Sequence, residues 1–209
     1  MSVVPGTVAL IANGMIRSYT FIQEKIHTYE RIIAIDGGLR HCREMGLTPD
    51  LLVGDLDSVP QEFISDYPLM EIRKFPKLKD ETDLELGLKI ANIPGTKKMT
   101  LFAALGDRTD HSLANLFLIL QYPMLAYMET EKELVFAFQH HVKVESYPGQ
   151  TVSLFPLGQP AEGVTTKGLQ WELNNINLNQ SFFSISNIAL SSNFEVTIKN
   201  GFLICCLQK

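Results

Sequence analysis

Carboxylates in this sequence collect where apolar runs stop. Leu51-Leu52-Val53-Gly54 is followed at once by Asp55-Leu56-Asp57-Ser58, which reads as a buried strand ending in a metal-binding turn. In an α/β sheet the ligand crevice lies beyond the carboxyl ends of the strands, so acidic groups placed there face whatever is bound. In an extended turn, residues two apart point the same way, which would let Asp55 and Asp57 share one hard cation. A plainer reading competes: Asp is common in loops, and Ser58, Pro60 and Gln61 together fit a helix capping box.

The arrangement recurs. The run over residues 31–35 closes on Asp36-Gly37-Gly38. The run over 70–75 leads to Lys79-Asp80-Glu81-Thr82-Asp83-Leu84-Glu85, and the run over 99–105 to Gly106-Asp107-Arg108-Thr109-Asp110-His111. Thr82 with Glu85 is a second capping box, and acidic residues in a first turn suit the helix dipole. That explains part of the cluster without requiring both Asp80 and Asp83. Arg108 has the fork geometry for phosphate oxygens and equally for an ion pair with Asp110; His111 reads as a packed or capping histidine. Asp36, Asp55, Asp57, Asp80, Asp83 and Asp110 thus come from separate strand-to-helix junctions expected to converge on one sheet edge, where their mutual repulsion calls for cations. All-oxygen ligands favour magnesium over zinc, and magnesium beside arginine suggests phosphate chemistry on a nucleotide. Neither GxxxxGK[ST] nor GxGxxG is present, so phosphates would be held through metal, arginine and backbone.

The elements that must position these groups alternate in type. Short β-like runs over residues 7–12, 31–35, 51–54, 70–75 and 99–105 are separated by helical patterns over 17–27, 39–45, 61–67 and the stretch carrying Leu86, Leu88 and Ile90. Such alternation implies crossover units and a mainly parallel sheet. A helix over 112–120 is predicted to bury Leu113, Leu116, Phe117 and Leu120. Beyond Pro123, β-rich runs over 134–138, 142–147, 151–155, 194–198 and 202–207 suggest a small antiparallel sandwich or barrel. The expected fold class is α/β, with an N-terminal mainly parallel sheet flanked by helices over residues 1–128 and a C-terminal antiparallel β-sandwich over 129–209.

Composition narrows the partners. A net charge of −5 over 209 residues with no basic block lacks the electrostatic footprint of a nucleic-acid binder. No apolar run approaches the ~20 residues of a membrane span, and the first residues do not read as a targeting segment. Cys42, Cys205 and Cys206 show no metal or disulfide spacing, so a reducing cytoplasm is the expected location.

Asp36-Gly37-Gly38, Gly54-Asp55-x-Asp57-Ser58, Asp80-x-Thr82-Asp83 and Arg108-x-Asp110-His111, followed by Thr166-x-Gly168-Leu169-x-Trp171 and Ser184-x-Ser186-Asn187, resemble in this order the thiamine pyrophosphokinase family over nearly the whole chain. Ala103 and Asp107 depart from it, standing where the family often has glycines in a G-x-x-G-G-R turn that brings backbone close to phosphate. The resemblance implies a nucleotide-binding catalytic domain and a thiamine-binding β-domain, a transfer of the pyrophosphoryl group of ATP to thiamine, and a homodimer whose sites are shared between subunits. It makes Asp55, Asp57 and Asp83 magnesium ligands, and places Asp36, Asp80, Thr82, Arg108 and Asp110 around ATP or the transferred group. Ser184, Ser186 and Asn187 become polar contacts to thiamine, and Trp171 either a stacking surface or a core residue of the β-domain. Two alternatives stand beside it: a noncatalytic thiamine or nucleotide sensor, and a haloacid-dehalogenase-like phosphatase with Asp55 as nucleophile.

Overall fold

Residues 6–209 are described by the computed structural model; residues 1–5, which enter the reading of the targeting segment, lie outside them. In chain order the elements are β1 (Thr7–Ile11), α1 (Tyr19–Ile26), β2 (Arg31–Ile35), α2 (Gly38–Glu44), β3 (Leu51–Gly54), α3 (Gln61–Ser65), β4 (Glu71–Lys74), α4 (Asp83–Ala91), β5 (Lys98–Phe102), α5 (Thr109–Ile119), β6 (Ala126–Glu129), β7 (Glu133–Phe138), β8 (His141–Glu145), β9 (Thr151–Phe155), β10 (Ala161–Lys167), β11 (Ile176–Leu178), β12 (Ser184–Ile188), β13 (Asn193–Thr197) and β14 (Leu203–Gln208). They divide between two units, the first ending at Asn115 and including Met128–Glu131, the second made of Leu116–Tyr127 and Lys132–Lys209. Among the described residues no helix is long and apolar enough to cross a membrane.

In the first unit, β5, β1, β2, β3 and β4 lie side by side in that order, and every pairing among them is parallel. The inner strands are apolar throughout because helices cover both faces, as a parallel sheet requires; Val8, Leu10, Ile33, Leu51 and Leu101 are fully buried. The chain steps outward from β1 through β2 and β3 to β4, then returns by α4 to the far side of β1. This reversal makes the carboxyl ends of β1 and β5 a topological switch point, where open α/β sheets bind ligands.

The second unit has two antiparallel arrays, β12-β9-β14-β7 and β11-β10-β13-β8. Alternate residues of both, among them Phe136, Val144, Leu154, Val164, Phe194 and Leu203, meet in one core. This is the expected sandwich, with one face of each sheet turned inward.

Two local expectations are corrected. Ser58 does not cap α3: Pro60 holds that position without a side-chain cap, and the Ser58 hydroxyl donates to Asp36 Oδ2 at 2.5 Å. Leu113 and Phe117 do not form the buried stripe of α5, where Asn115, Leu118 and Ile119 are buried and Leu113 and Phe117 exposed. The second half of α5 carries apolar residues on several sides and does not reveal its inner face by hydrophobicity. A polar residue marks it here, Asn115 donating through Nδ2 to the Ala104 carbonyl at 2.7 Å.

Candidate active site

At the switch point the first unit opens a cleft of about 460 Å³, lined by the β1 exit at Ala12, Asn13 and Gly14, by Asp36 and Ser58, by Thr82 and Asp83, and by the β5 exit from Ala103 to Arg108. Asp36, Asp55 and Asp83 bring carboxylate oxygens within 4.8 Å of one another. Three strand-to-helix junctions therefore deliver three acids to one place, each by its own local device. Asp36 leaves β2 at φ 45, a left-handed conformation that Asp tolerates better than most residues. Gly54 makes room for it, since a Cβ there would lie 3.0 Å from Asp36 Cβ. Asp83 is the first residue of α4, whose Thr82 cap accepts from Glu85 N at 3.1 Å; this half of the expected capping box is formed.

Asp57 sits apart from this grouping. Leu56 adopts φ 65 and Asp57 N–H turns back to Asp55 Oδ1 at 2.9 Å, so the segment is a tight turn and the two-residue alternation of an extended chain is lost. The Asp57 carboxylate goes instead to Lys77 Nζ at 2.6 Å, and that ammonium holds its pKa below the ordinary carboxylate value. Asp36, expected as a neighbour of ATP, stands in the third place of the group. Asp80 and Asp110 are exposed and do not line the cleft. Arg108 does line it while gripping Asp110, with Nη2 to Oδ2 at 2.6 Å and Nε to Oδ1 at 3.2 Å. Both readings of Arg108 thus coexist, and the guanidinium draws the Asp110 pKa down to about 2. His111 is exposed on the cleft wall, not packed.

Charge in the triad is under-compensated. Asp36 Oδ1 is buried with no hydrogen-bond partner among the described residues. Burial, followed by the nearby Asp36 and Asp55 charges, pushes the Asp83 carboxyl upward, although Lys79 acts in the opposite sense. Lys79 Nζ lies 3.0 Å from Asp83 Oδ1, close enough for an ion pair though not aligned as a hydrogen bond. An unpartnered acceptor among converging carboxylate oxygens fits a hard divalent cation of the magnesium type. Asn13, Lys79 and Asn115 were not singled out as site residues from the sequence, and Ser58 entered only as a motif residue and a cap candidate; the turn at Asn13-Gly14, closing an apolar run, also carried a usable signal.

At the β5 exit the family's glycine positions keep glycine-like geometry without glycine: Ala103 has φ 54 and Asp107 φ 56. The departure in residue type therefore does not open the turn. The backbone follows a course that costs a non-glycine residue roughly 1 kcal/mol or more.

In the second unit, the polar set expected around thiamine divides into exposed and structural members. Trp171 is 57% exposed and so is not a core residue; Leu169 takes that place. Asn187 is 2% exposed and all its polar atoms are engaged: Oδ1 accepts from Trp171 N at 3.1 Å and Ile188 N at 2.9 Å, while Nδ2 donates to Trp171 O at 2.7 Å. It fixes the backbone that carries the indole. Ser184 is half-buried and Ser186 exposed, the latter at φ 55 in an irregular stretch of β12.

Comparison with known proteins gives two family matches. The model described as thiamin pyrophosphokinase, catalytic domain, matches residues 22–131, and that described as thiamin pyrophosphokinase, vitamin B1 binding domain, matches residues 139–203. The chain is 31% identical over 165 residues to thiamine pyrophosphokinase 3 of Oryza sativa subsp. japonica, covering 72% of this chain and 62% of that one. It is 28% identical over 168 residues to thiamine pyrophosphokinase 1 of the same plant, covering 73% and 64%. It therefore spans under two thirds of the length of these relatives. The crystal structure of thiamin pyrophosphokinase from Geobacillus thermodenitrificans has the same fold, with a TM-score of 0.84 at 22% identity over 97% of each chain.

Proposed function

This chain belongs to the thiamine pyrophosphokinase family, and we propose from that premise that it moves the pyrophosphoryl group of ATP onto the hydroxyethyl oxygen of thiamine. In this reaction the bond from the α,β-bridging oxygen to the β-phosphorus breaks and a bond from the hydroxyl oxygen to the β-phosphorus forms. The hydroxyl proton is lost, and AMP leaves as thiamine diphosphate is made. The observation that carries the reading is the convergence of Asp36, Asp55 and Asp83 beside a cleft that also presents Arg108.

Asp55 and Asp83, with Asp36 by geometry and Asp57 by resemblance, would hold magnesium; when bound, the ion neutralises the triphosphate so that an alcohol can approach it. Asp57 must leave Lys77 to take part. Arg108 exchanges Asp110 for phosphate oxygen and stabilises the charge that develops as AMP departs. Both partners are exposed, so little desolvation opposes the exchange. The freed Asp110 and the triad carboxylates are the groups able to accept the hydroxyl proton; the larger contribution is positioning of the two substrates. Asp80 and Thr82 flank the approach to the nucleotide. On the second unit, Trp171 offers a face to the cationic, aromatic thiamine, Ser184 and Ser186 offer hydroxyls, and Asn187 holds the platform.

The protein acts as a homodimer in this reading, consistent with the exposed Trp171, Phe182, Phe183 and Ile185 of the second unit, since exposed apolar groups that lie together mark interaction surfaces. Its three free cysteines suit a reducing cytoplasm. Incubation with ATP, magnesium and thiamine tests the activity: AMP and thiamine diphosphate should appear in equal amounts. Formation of ADP instead of AMP, or binding of both ligands without product, would replace the reading with a different transferase or a sensor. Light scattering at several concentrations tests the dimer.

A further inference from the structure

Two ammonium groups already stand on the acidic edge. Lys79 Nζ lies 3.0 Å from Asp83 Oδ1, its side chain only 12% exposed, and it donates to the Pro76 carbonyl at 3.0 Å. Lys77 reaches Asp57 from the same β4–α4 connection, in open solvent. Lysine is rarely buried so deeply without a charge partner, so the pairing with Asp83 is what makes that position tolerable. One ammonium among three carboxylates leaves the group net negative, in keeping with the unpartnered Asp36 Oδ1.

The oxygen that Lys79 approaches belongs to the same carboxylate that a divalent ion in this triad would need. An ammonium and a divalent cation a few ångströms apart repel in a partly buried site, so the two compete for Asp83. We infer that Lys79 is a placeholder for the cation. It neutralises Asp83 while the cleft is empty, yields that carboxylate when a divalent ion enters, and turns from its tether at Pro76 O to the anionic oxygens of the polyphosphate that arrives with the ion. Lys77 makes the same exchange over Asp57, with a smaller effect because both of its ends are solvated. The inference rests on the reading of this cleft as a site for a magnesium-borne nucleotide.

A placeholder has effects of opposite sign on the metal alone and on the metal with nucleotide, whereas a merely structural lysine weakens both or neither. Titration calorimetry with Mn²⁺ in the absence of nucleotide should show Lys79→Met and Lys79→Gln binding the ion about three- to tenfold more tightly than the parent. Binding of α,β-methylene-ATP with magnesium, which cannot be cleaved at the reacting bridge, should weaken about tenfold or more in the same variants. Lys79→Arg, which keeps the charge, should leave the Mn²⁺ affinity near that of the parent. In the unaltered protein, acetylation of Lys79 by acetic anhydride, followed by mass spectrometry, should rise on adding Mg²⁺ and fall again when the ATP analogue is added. Unchanged or weaker Mn²⁺ binding in both neutral variants, or no rise in acetylation with Mg²⁺, overturns the placeholder. The Mn²⁺ titration contains no nucleotide and no turnover. Failure to form AMP together with tightened Mn²⁺ binding would therefore overturn the proposed reaction while leaving the ion exchange standing.

Discussion

Gly14 O receives Nε2 of His41 at 2.8 Å, and this bond fixes the protonation of a buried imidazole. A carbonyl can only accept, so Nε2 carries the proton and Nδ1 is bare; it accepts the Tyr19 hydroxyl at 2.9 Å. Burial pushes the His41 pKa below its ordinary value. Gly14 is clamped from its other side as well, its N–H donating to Ala103 O at 2.9 Å, and a Cβ here would meet that oxygen at 2.4 Å. His41 thus holds the turn that forms one wall of the cleft without lining the cleft itself.

Replacing His41 by Leu should leave Gly14 O and the Tyr19 hydroxyl unsatisfied and destabilise the protein by about 1–3 kcal/mol. The KM for ATP should rise more than kcat falls, because the wall moves while the reacting groups remain. His41→Gln, which can restore a donor to Gly14, should recover part of both. A depressed histidine pKa means that the unfolded chain binds the proton more readily. The stability His41 provides is therefore complete above 6.5 and declines as pH falls through the window between that value and its lower folded pKa. Thermal melts of the parent should show the decline, and those of His41→Gln should show less of it.

Asp83 gives the opposite slope. Its folded pKa is raised above 3.8, so its contribution is present below 3.8 and is lost as pH rises through the raised value, where the folded carboxyl must ionise beside Asp36 and Asp55. In metal-free buffer the melting temperature should carry this loss, and Mg²⁺ should remove it. Saturation to about 100 times Kd stabilises a binding site by about 2.7 kcal/mol. Asp36→Asn should abolish the Mg²⁺-dependent rise in melting temperature, and chelation should return the parent to the metal-free curve.

Asp57→Ala should leave the melting temperature unchanged, since this carboxylate is exposed and its partner Lys77 is more so. Its effect on turnover should nonetheless reach about 10- to 100-fold, the scale seen when a group that orients a metal is lost. Undiminished AMP production would place Asp57 outside the metal set and leave Asp36, Asp55 and Asp83 as the whole of it.

The strained turn at the β5 exit has a simple consequence for stability. Relief of a left-handed alanine is worth roughly 1–2 kcal/mol, offset by the roughly 0.4–1 kcal/mol of unfolded-chain entropy that glycine adds. Ala103→Gly should therefore raise the melting temperature by about 1–3 °C in a protein of this size, and calorimetry can resolve that.

The same turn shows what a sequence can and cannot convey. β1, β2, β3 and β5 are readable because each is an apolar run, broken only by Thr100 in β5, that closes on Asp, Gly or a small residue, and the junction aspartates are readable with them. The present course of the Asp55-Leu56-Asp57 turn is not legible, because it depends on the left-handed Leu56 and no property of leucine announces that conformation. β10, β11 and β12 escape the pattern because Gly163, the paired threonines and the Ser-Ile alternation are set by pairing across bulges, not by strand propensity. Lys79 reads as a solvated charge ahead of a helix until the fold lays it on Asp83. His41 reads as one polar residue in a short amphipathic helix, and only the approach of Gly14 gives it a role.

Trp171 and Asn187 separate binding from scaffolding within the second unit. Asn187 makes three good hydrogen bonds from a 2% exposed position, two of them to the Trp171 backbone. Asn187→Ala should therefore strand buried amide and carbonyl groups at a cost of about 1–3 kcal/mol, and weaken thiamine indirectly by loosening the platform. Trp171→Ala removes an exposed ring that packs little and should leave the melting temperature within about 1 °C, because surface substitutions usually stay within about 0.5 kcal/mol. Its loss should instead appear as a thiamine KM raised about fivefold or more, the scale of a partly desolvated cation–π contact, with the KM for ATP unchanged. Thiamine titrations alongside thermal melts of both variants distinguish the roles. A Trp171→Ala protein with normal thiamine affinity would move the recognition surface elsewhere on the β-domain.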